Sequence, residues 1–212
     1  SQAPYFYRFG FGDAEVSVVS DGPLPLGDPG ETFLGVPKEE VRGMLSRNFL
    51  DPANVTLEQN IPVVNFGDRL VLFDTGMGTS QAFGPTTGRL MKSLQEAGIR
   101  PQDIDAVCCS HAHIDHVGGI VGADGKPLFP NAEVWLAQSD FDFWTDEAKL
   151  GTPLKAFVEH ARKNLLPVRD RIKFFRDGQE FLPGIQAIAA PGHTVGHTIF
   201  MIASGGKQFC FM

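Results

Sequence analysis

The chain has 212 residues, 42% of them apolar and 20% charged, with a formal net charge of −7. That length suits one domain with a sizeable buried core, and the acidic balance weighs against a nucleic-acid partner, which wants a basic patch. The three cysteines, Cys108, Cys109 and Cys210, lack framework spacing and argue against a disulfide scaffold, and no apolar run reaches the ~18 residues of a membrane span.

The sequence opens at "SQAPYFYRFG" without an initiator Met and without a signal-peptide pattern, as a processed or trimmed start would. A periplasmic or secreted location fits such a start and a cytoplasmic one fits as well, so the compartment stays open. Residues 13–22 (DAEVSVVSDG) alternate and are β-branched, predicting a strand that stops at Asp-Gly. The Pro- and Gly-rich stretch 22–37 predicts a surface loop, and residues 37–45 a short helix with Pro at its first turn. Residues 61–66 and 69–76, parted by Gly67-Asp68, predict a hairpin whose second strand ends at Asp74. Residues 86–98 are amphipathic, with Leu90, Met91 and Leu94 on one face and Gly98 as the cap. A buried strand is predicted at 104–110 and another at 132–137, then helices over 139–150 and 153–166 and strands at 172–175, 185–190, 198–203 and 207–212. The mixed order predicts sheets covered by helices rather than a regular βαβ winding.

Three of the six histidines fall in "HAHIDHVGG" at 111–119, and two more in "PGHTVGH" at 191–197. In an extended segment residues two apart point the same way, so His111 and His113 present two imidazoles together. Asp115 and His116, a half-turn later, face a second point nearby. Neutral imidazole and carboxylate are ligands for zinc and similar divalent metals, and desolvating four such groups without a metal would be costly. The spacing offers two ligands to one ion and two to a neighbour; ions ~3.5–4 Å apart form a clamp used by hydrolases. His193, on a loop set up by Pro191 and Gly192, is a further ligand from a distant stretch of chain. His197 reads as a structural residue or one that holds a ligand's tautomer from behind. His160, in the charged "VEHARK", reads as a surface residue. Asp74, in "FDTG", ends a strand in a Gly turn and near a metal would orient a ligand or its loop.

"HAHIDHVGG" matches the HxHxDH motif of the metallo-β-lactamase superfamily, and "FDTG" and "PGHTVGH" resemble its other landmarks in the usual order. With "YFYRFGFGDAEVSVVSDG", "FGPTTGRL" and "FPNAEVWLAQSDFDFW", the chain from residue 5 onward looks like the methyl parathion hydrolase branch, close to the acyl-homoserine lactonases. The resemblance implies an α/β (α+β) fold, a four-layer αββα sandwich with metals at one edge between the sheets. It implies two divalent ions, zinc foremost with Fe, Mn or Co as alternatives. His111, His113 and His193 would bind the first and Asp115 and His116 the second, with Asp115 also counted as catalytic. Trp144 and Phe83 would line a leaving-group pocket. A hydroxide shared between the metals would attack a small-molecule ester, either a phosphotriester, a lactone or another ester. The oligomer the resemblance leaves open is a homodimer; no membrane partner is expected. A glyoxalase II-like thioesterase, an RNA-processing nuclease and a non-catalytic metal-binding remnant are the rivals, the nuclease disfavoured by charge. The family places a metal-bridging aspartate in a "GD" pair just after a strand, and a further histidine beyond it. This sequence stops at "GGKQFCFM", inside what looks like that strand, so residues 1–212 are expected to be a single domain lacking its C-terminal part.

Overall fold

The computed structural model describes residues 5–212; residues 1–4, the start of the "SQAP" opening, lie outside them. Two sheets form. The larger holds β1 (Phe6–Phe11), β2 (Ala14–Gly27), β3 (Val55–Asn65), β4 (Leu70–Phe73), β5 (Ala106–Cys108), β6 (Glu133–Ala137) and β7 (Ile172–Phe175), side by side in chain order. Pairing is antiparallel from β1 to β4 and parallel from β4 to β7. The smaller sheet is antiparallel, ordered β11 (Lys207–Phe211), β10 (Thr198–Ser204), β9 (Ile185–Ala189), β8 (Glu180–Leu182). The helices are α1 (Pro29–Thr32), α2 (Lys38–Arg47), α3 (Leu90–Glu96), α4 (Ile114–Val117), α5 (Gln138–Thr145) and α6 (Lys155–Leu165).

The period of two along each strand sets the layers. Leu72 and Val107 face the helices and pack with Leu94 of α3 and Val158 and Leu165 of α6. Their neighbours Val71, Phe73, Ala106 and Cys108 face the smaller sheet and pack with Phe181, Ile185, Phe200 and Ile202. Each fully buried Val, Leu, Ile or Phe among them contributes roughly 1.5–3 kcal/mol. The result is a mixed α/β fold of helices, sheet and sheet. The outer helical layer of the expected sandwich, over the far face of the smaller sheet, is not among the described residues.

Several element boundaries differ from the sequence expectation. The predicted loop 22–37 is in part strand: β2 runs on to Gly27 through Pro23 and Pro25. β1 pairs only with residues 14–19 of β2, so the prolines lie where that side of the strand is an open edge and no donor is needed. Irregularities between Ser20 and Gly22 and between Pro25 and Gly27 bend the strand there. β3 begins at Val55 rather than Ile61, and β1 and β8 were not predicted. The helix predicted over 86–98 is shortened to Leu90–Glu96, because Gly88 is left-handed and the segment before the helix is tied to Asp21. The helix predicted over 139–150 breaks at Asp146 into α5 and a 3-10 turn.

Parallel strands deliver their carboxyl ends to one edge, where open α/β sheets place ligands. Asp74 leaves β4 there, the histidine cluster leaves β5, and α5 leaves β6. The loop between β9 and β10 reaches the same edge from the smaller sheet, where Thr198 N–H donates to the Ser110 carbonyl at 2.9 Å.

Candidate metal centre

His111, His113 and His193 converge, each offering one ligand atom, with those atoms within 4.8 Å of one another. His113 Nδ1 and His193 Nε2 lie 3.1 Å apart. The state of His111 follows from its neighbours. The Ser110 hydroxyl donates its proton to Asp74 Oδ2 at 2.8 Å, so toward His111 Nδ1, 3.0 Å away, it must accept. The neutral ring therefore carries its proton on Nδ1 and its lone pair on Nε2. Nε2 is buried and has no hydrogen-bond partner among the described residues. An orphaned acceptor costs free energy unless something binds it, and a lone pair facing two more imidazoles fits a zinc-like cation. Burial, then the adjoining His116, His113 and His193, push the His111 pKa far below the usual 6.5. Burial and His193 bring His113 down to about 4. Both rings are thus neutral, the form that ligates.

The second group sits on α4, a single turn that begins right after the extended His113. His116 Nδ1 donates to Asp74 Oδ2 at 2.7 Å, and its Nε2 lies 3.3 Å from Asp115 Oδ2. Burial opposes charge on this ring, yet Asp74 and then Asp115 outweigh it and lift its pKa to about 10. Burial would raise the Asp115 pKa, but the bond to His116 pulls it down. Asp74 itself is buried and held in the left-handed region at φ 62°, a conformation that persists in non-glycine residues where the surroundings dictate it. It accepts from Ser110 N–H at 2.7 Å as well. Thr75 adds two bonds to the His116 carbonyl, from its N–H at 2.7 Å and its hydroxyl at 2.9 Å. The paired glycines allow this docking: a Cβ on Gly119 would stand 2.2 Å from the Thr75 carbonyl oxygen, and one on Gly118 2.5 Å from that of Met77. The His111 and His116 ring centroids are 3.9 Å apart, so the two groups are neighbours.

A profile of the metallo-β-lactamase superfamily matches residues 56–212. The chain belongs to that superfamily. It is 31% identical over 140 residues to "Metallo-beta-lactamase domain-containing protein 1" of Xenopus laevis, covering 66% of this chain and 46% of that protein. It is 25% identical over 114 residues to an N-acyl homoserine lactonase of a Bacillus species, covering 54% of this chain and 39% of the relative. The chain thus spans less than half the length of either relative. Among solved structures, the dizinc quorum-quenching lactonase AidC, bound to a product, superposes with a TM-score of 0.87 at 30% identity over 97% of this chain and 72% of that one. The hydrolase AbOPH superposes with a TM-score of 0.88 at 27% identity over 100% and 74%. No helix of the described residues is long and apolar enough to cross a membrane.

The remaining sequence-predicted residues of this superfamily member fall as follows. His197 lies beside His111, its ring tilted by 49° with centroids 4.9 Å apart, and its ring centroid is 5.9 Å from that of His193. Trp144 packs edge-on to His113 at 4.9 Å. Phe83 packs with Leu24, Met77 and Ile114. A cavity of about 450 Å³ opens beside Asp74, Asp115 and His116, lined also by Leu24, Leu57 and Gln59. Sequence reasoning missed five supports. Phe157 shares the wall with Trp144, 5.3 Å from His113. Ser110 sets the His111 tautomer. Gln59 donates to the Asp115 carbonyl at 3.1 Å. Buried Asp21 accepts from the N–H groups of Met77, Gly88 and Leu90, and buried Asp140 from those of Ala112 and Gly196. "SDG" and "SDF" read locally as turn or helix-start signals, which is why neither aspartate stood out.

Proposed function

We propose that this chain is a metal-dependent hydrolase of small-molecule esters, with lactones the first substrate class and phosphotriesters the second. His111, His113 and His193 hold one divalent ion, zinc foremost, and Asp115 and His116 contribute to a second. When bound, such ions supply Lewis acidity and a water whose pKa falls to about 7. The chain's own residues do the rest. Ser110 keeps the His111 lone pair on Nε2, and Asp74 keeps the His116 proton on Nδ1, so both rings aim Nε2 at the site. Trp144 and Phe157 offer an apolar wall beside His113, suited to the acyl or aryl part of an ester. The observation that carries this reading is the buried, unpartnered His111 Nε2 among His113 and His193. Support also comes from the relatives described as homoserine lactonases and from the likeness to AbOPH.

The test is zinc content together with hydrolysis of a homoserine lactone, a thioester and an aryl phosphotriester. Lactone turnover that a chelator removes, and that is lost with the zinc in the His111→Ala/His113→Ala double variant, is the expected result. Unchanged zinc content in that variant would sink the ligand assignment. Preferential thioester cleavage would move the chain to the glyoxalase II-like alternative, and tight zinc without turnover to a metal-binding remnant.

A further inference from the structure

We propose that Asp140 is a positioning residue: one buried carboxylate that locks together the two loops carrying the first-site histidines. The inference rests on the metal reading above and adds what holds that site in register. Asp140 is 0% exposed. Its Oδ2 accepts from the N–H of Ala112, the residue between His111 and His113, at 2.7 Å. Its Oδ1 accepts from the N–H of Gly196, between His193 and His197, at 2.7 Å. The two loops leave different sheets, and His113 and His193 are 80 positions apart in the chain. Both bonds are short and charge-assisted, the stronger kind of hydrogen bond, and two N–H donors are what a buried carboxylate requires.

The placement of Asp140 is set by the sheet. β6 pairs in parallel with β5, Cys108 opposite Trp135, and α5 follows β6 without a linker, with Asp140 in its first turn. The clamp is therefore anchored to β6, the parallel neighbour of the strand that launches the histidine cluster. A second observation shows how close the far loop must come. A Cβ on Gly196 would stand 2.6 Å from Ser139 Oγ, 2.7 Å from Asp140 N and 2.8 Å from Asp140 Cβ. Any side chain there would push the His193 loop off α5. Metal sites tolerate ligand errors of only about ±0.2 Å, and both ties sit one to three residues from a ligand.

Asp140→Asn keeps the shape but turns one acceptor into an N–H facing an N–H, so one tie breaks. Gly196→Ala attacks the same contact from the other loop. Phe181→Leu, in the core between the sheets, serves as a control destabilised at a distance. Cobalt(II) is the probe, read by chelator competition and by its visible spectrum, alongside amide hydrogen exchange of Ala112 and Gly196 in the metal-free chain. Both site variants should bind cobalt about 10–100-fold more weakly, with an altered spectrum, and exchange those two amides faster, while Phe181→Leu keeps wild-type affinity and spectrum. Wild-type affinity and spectrum in Asp140→Asn would overturn the clamp alone. Equal losses in Phe181→Leu would also overturn it, by making the effect one of general stability. A wild-type chain that binds no cobalt would overturn the metal reading and the clamp with it.

Discussion

Replacing Asp74 by Asn tests how the second group is wired. Asp74 receives three bonds, from Ser110 N–H to Oδ1 and from the Ser110 hydroxyl and His116 Nδ1 to Oδ2. An Asn must keep its carbonyl toward Ser110 N–H, because the opposite flip sets N–H against N–H. Its NH2 then faces Ser110 Oγ and His116 Nδ1, and both must accept. His116 is forced into the tautomer with its proton on Nε2, aimed at Asp115 and closed to a metal. The charge matters too. Raising the ring from 6.5 to about 10 corresponds to about 4–5 kcal/mol favouring its protonated form, an upper bound for a ring partly open to water. Because the folded pKa lies above the unfolded one, this stabilises the metal-free chain fully below pH 6.5 and is lost as pH rises through about 10. Asp74 is the largest of the favourable charges, so the Asn variant should lose at least half of that pH-dependent stability, about 2–3 kcal/mol. The assays are chemical denaturation of the chelator-treated chain from pH 6 to 10 and nitrogen-15 spectra of His116. An equal pH slope in both proteins, or an Nδ1-protonated neutral His116 in the variant, would refute the reasoning.

Three further outcomes follow from the site. Burial holds His113 neutral down to about pH 4, so zinc retention, measured against a chelating dye, should persist below the ~6.5 at which a free imidazole takes up its proton; loss centred at or above ~6.5 would contradict the buried site. The same depressed pKa means the unfolded metal-free chain binds more protons between about pH 6.5 and 4, so its stability should drop across that window, and a flat denaturation midpoint there would count against it. Trp144 is only 5% exposed, so Trp144→Ala would cost about 3–5 kcal/mol of packing; Phe157→Ala, at a residue 44% exposed, is the cleaner probe of the wall. It should raise KM for aryl esters several-fold more than for small lactones, and equal changes on both would remove the wall from substrate binding.

What the sequence made legible was local. "HAHIDHVGG" exposes its chemistry because five ligand-bearing and turn-forming features sit within nine positions, and "IDAVCCS" before it is an unbroken buried strand. Gly98 reads as a helix stop and is one, left-handed at φ 74°. The supports were not legible because each joins residues far apart in the chain: Asp74 and Ser110 by 36 positions, Asp140 and Gly196 by 56, Asp21 and Leu90 by 69. An aspartate after Ser looks like a turn or cap residue until the sheet order shows which N–H groups stand opposite it. Pro23 and Pro25 misled for a related reason. Proline argues against a strand paired on both sides, and only the short reach of β1 reveals that β2 has an open edge there.

X-ray absorption at the zinc edge on the zinc-loaded chain measures the central claim most directly. Three imidazoles predict nitrogen or oxygen scatterers at ~2.0–2.1 Å, with the outer-shell pattern of histidine rings, lost in the His111→Ala/His113→Ala variant. Sulfur scattering at ~2.3 Å, or a wild-type spectrum surviving in that variant, would contradict it.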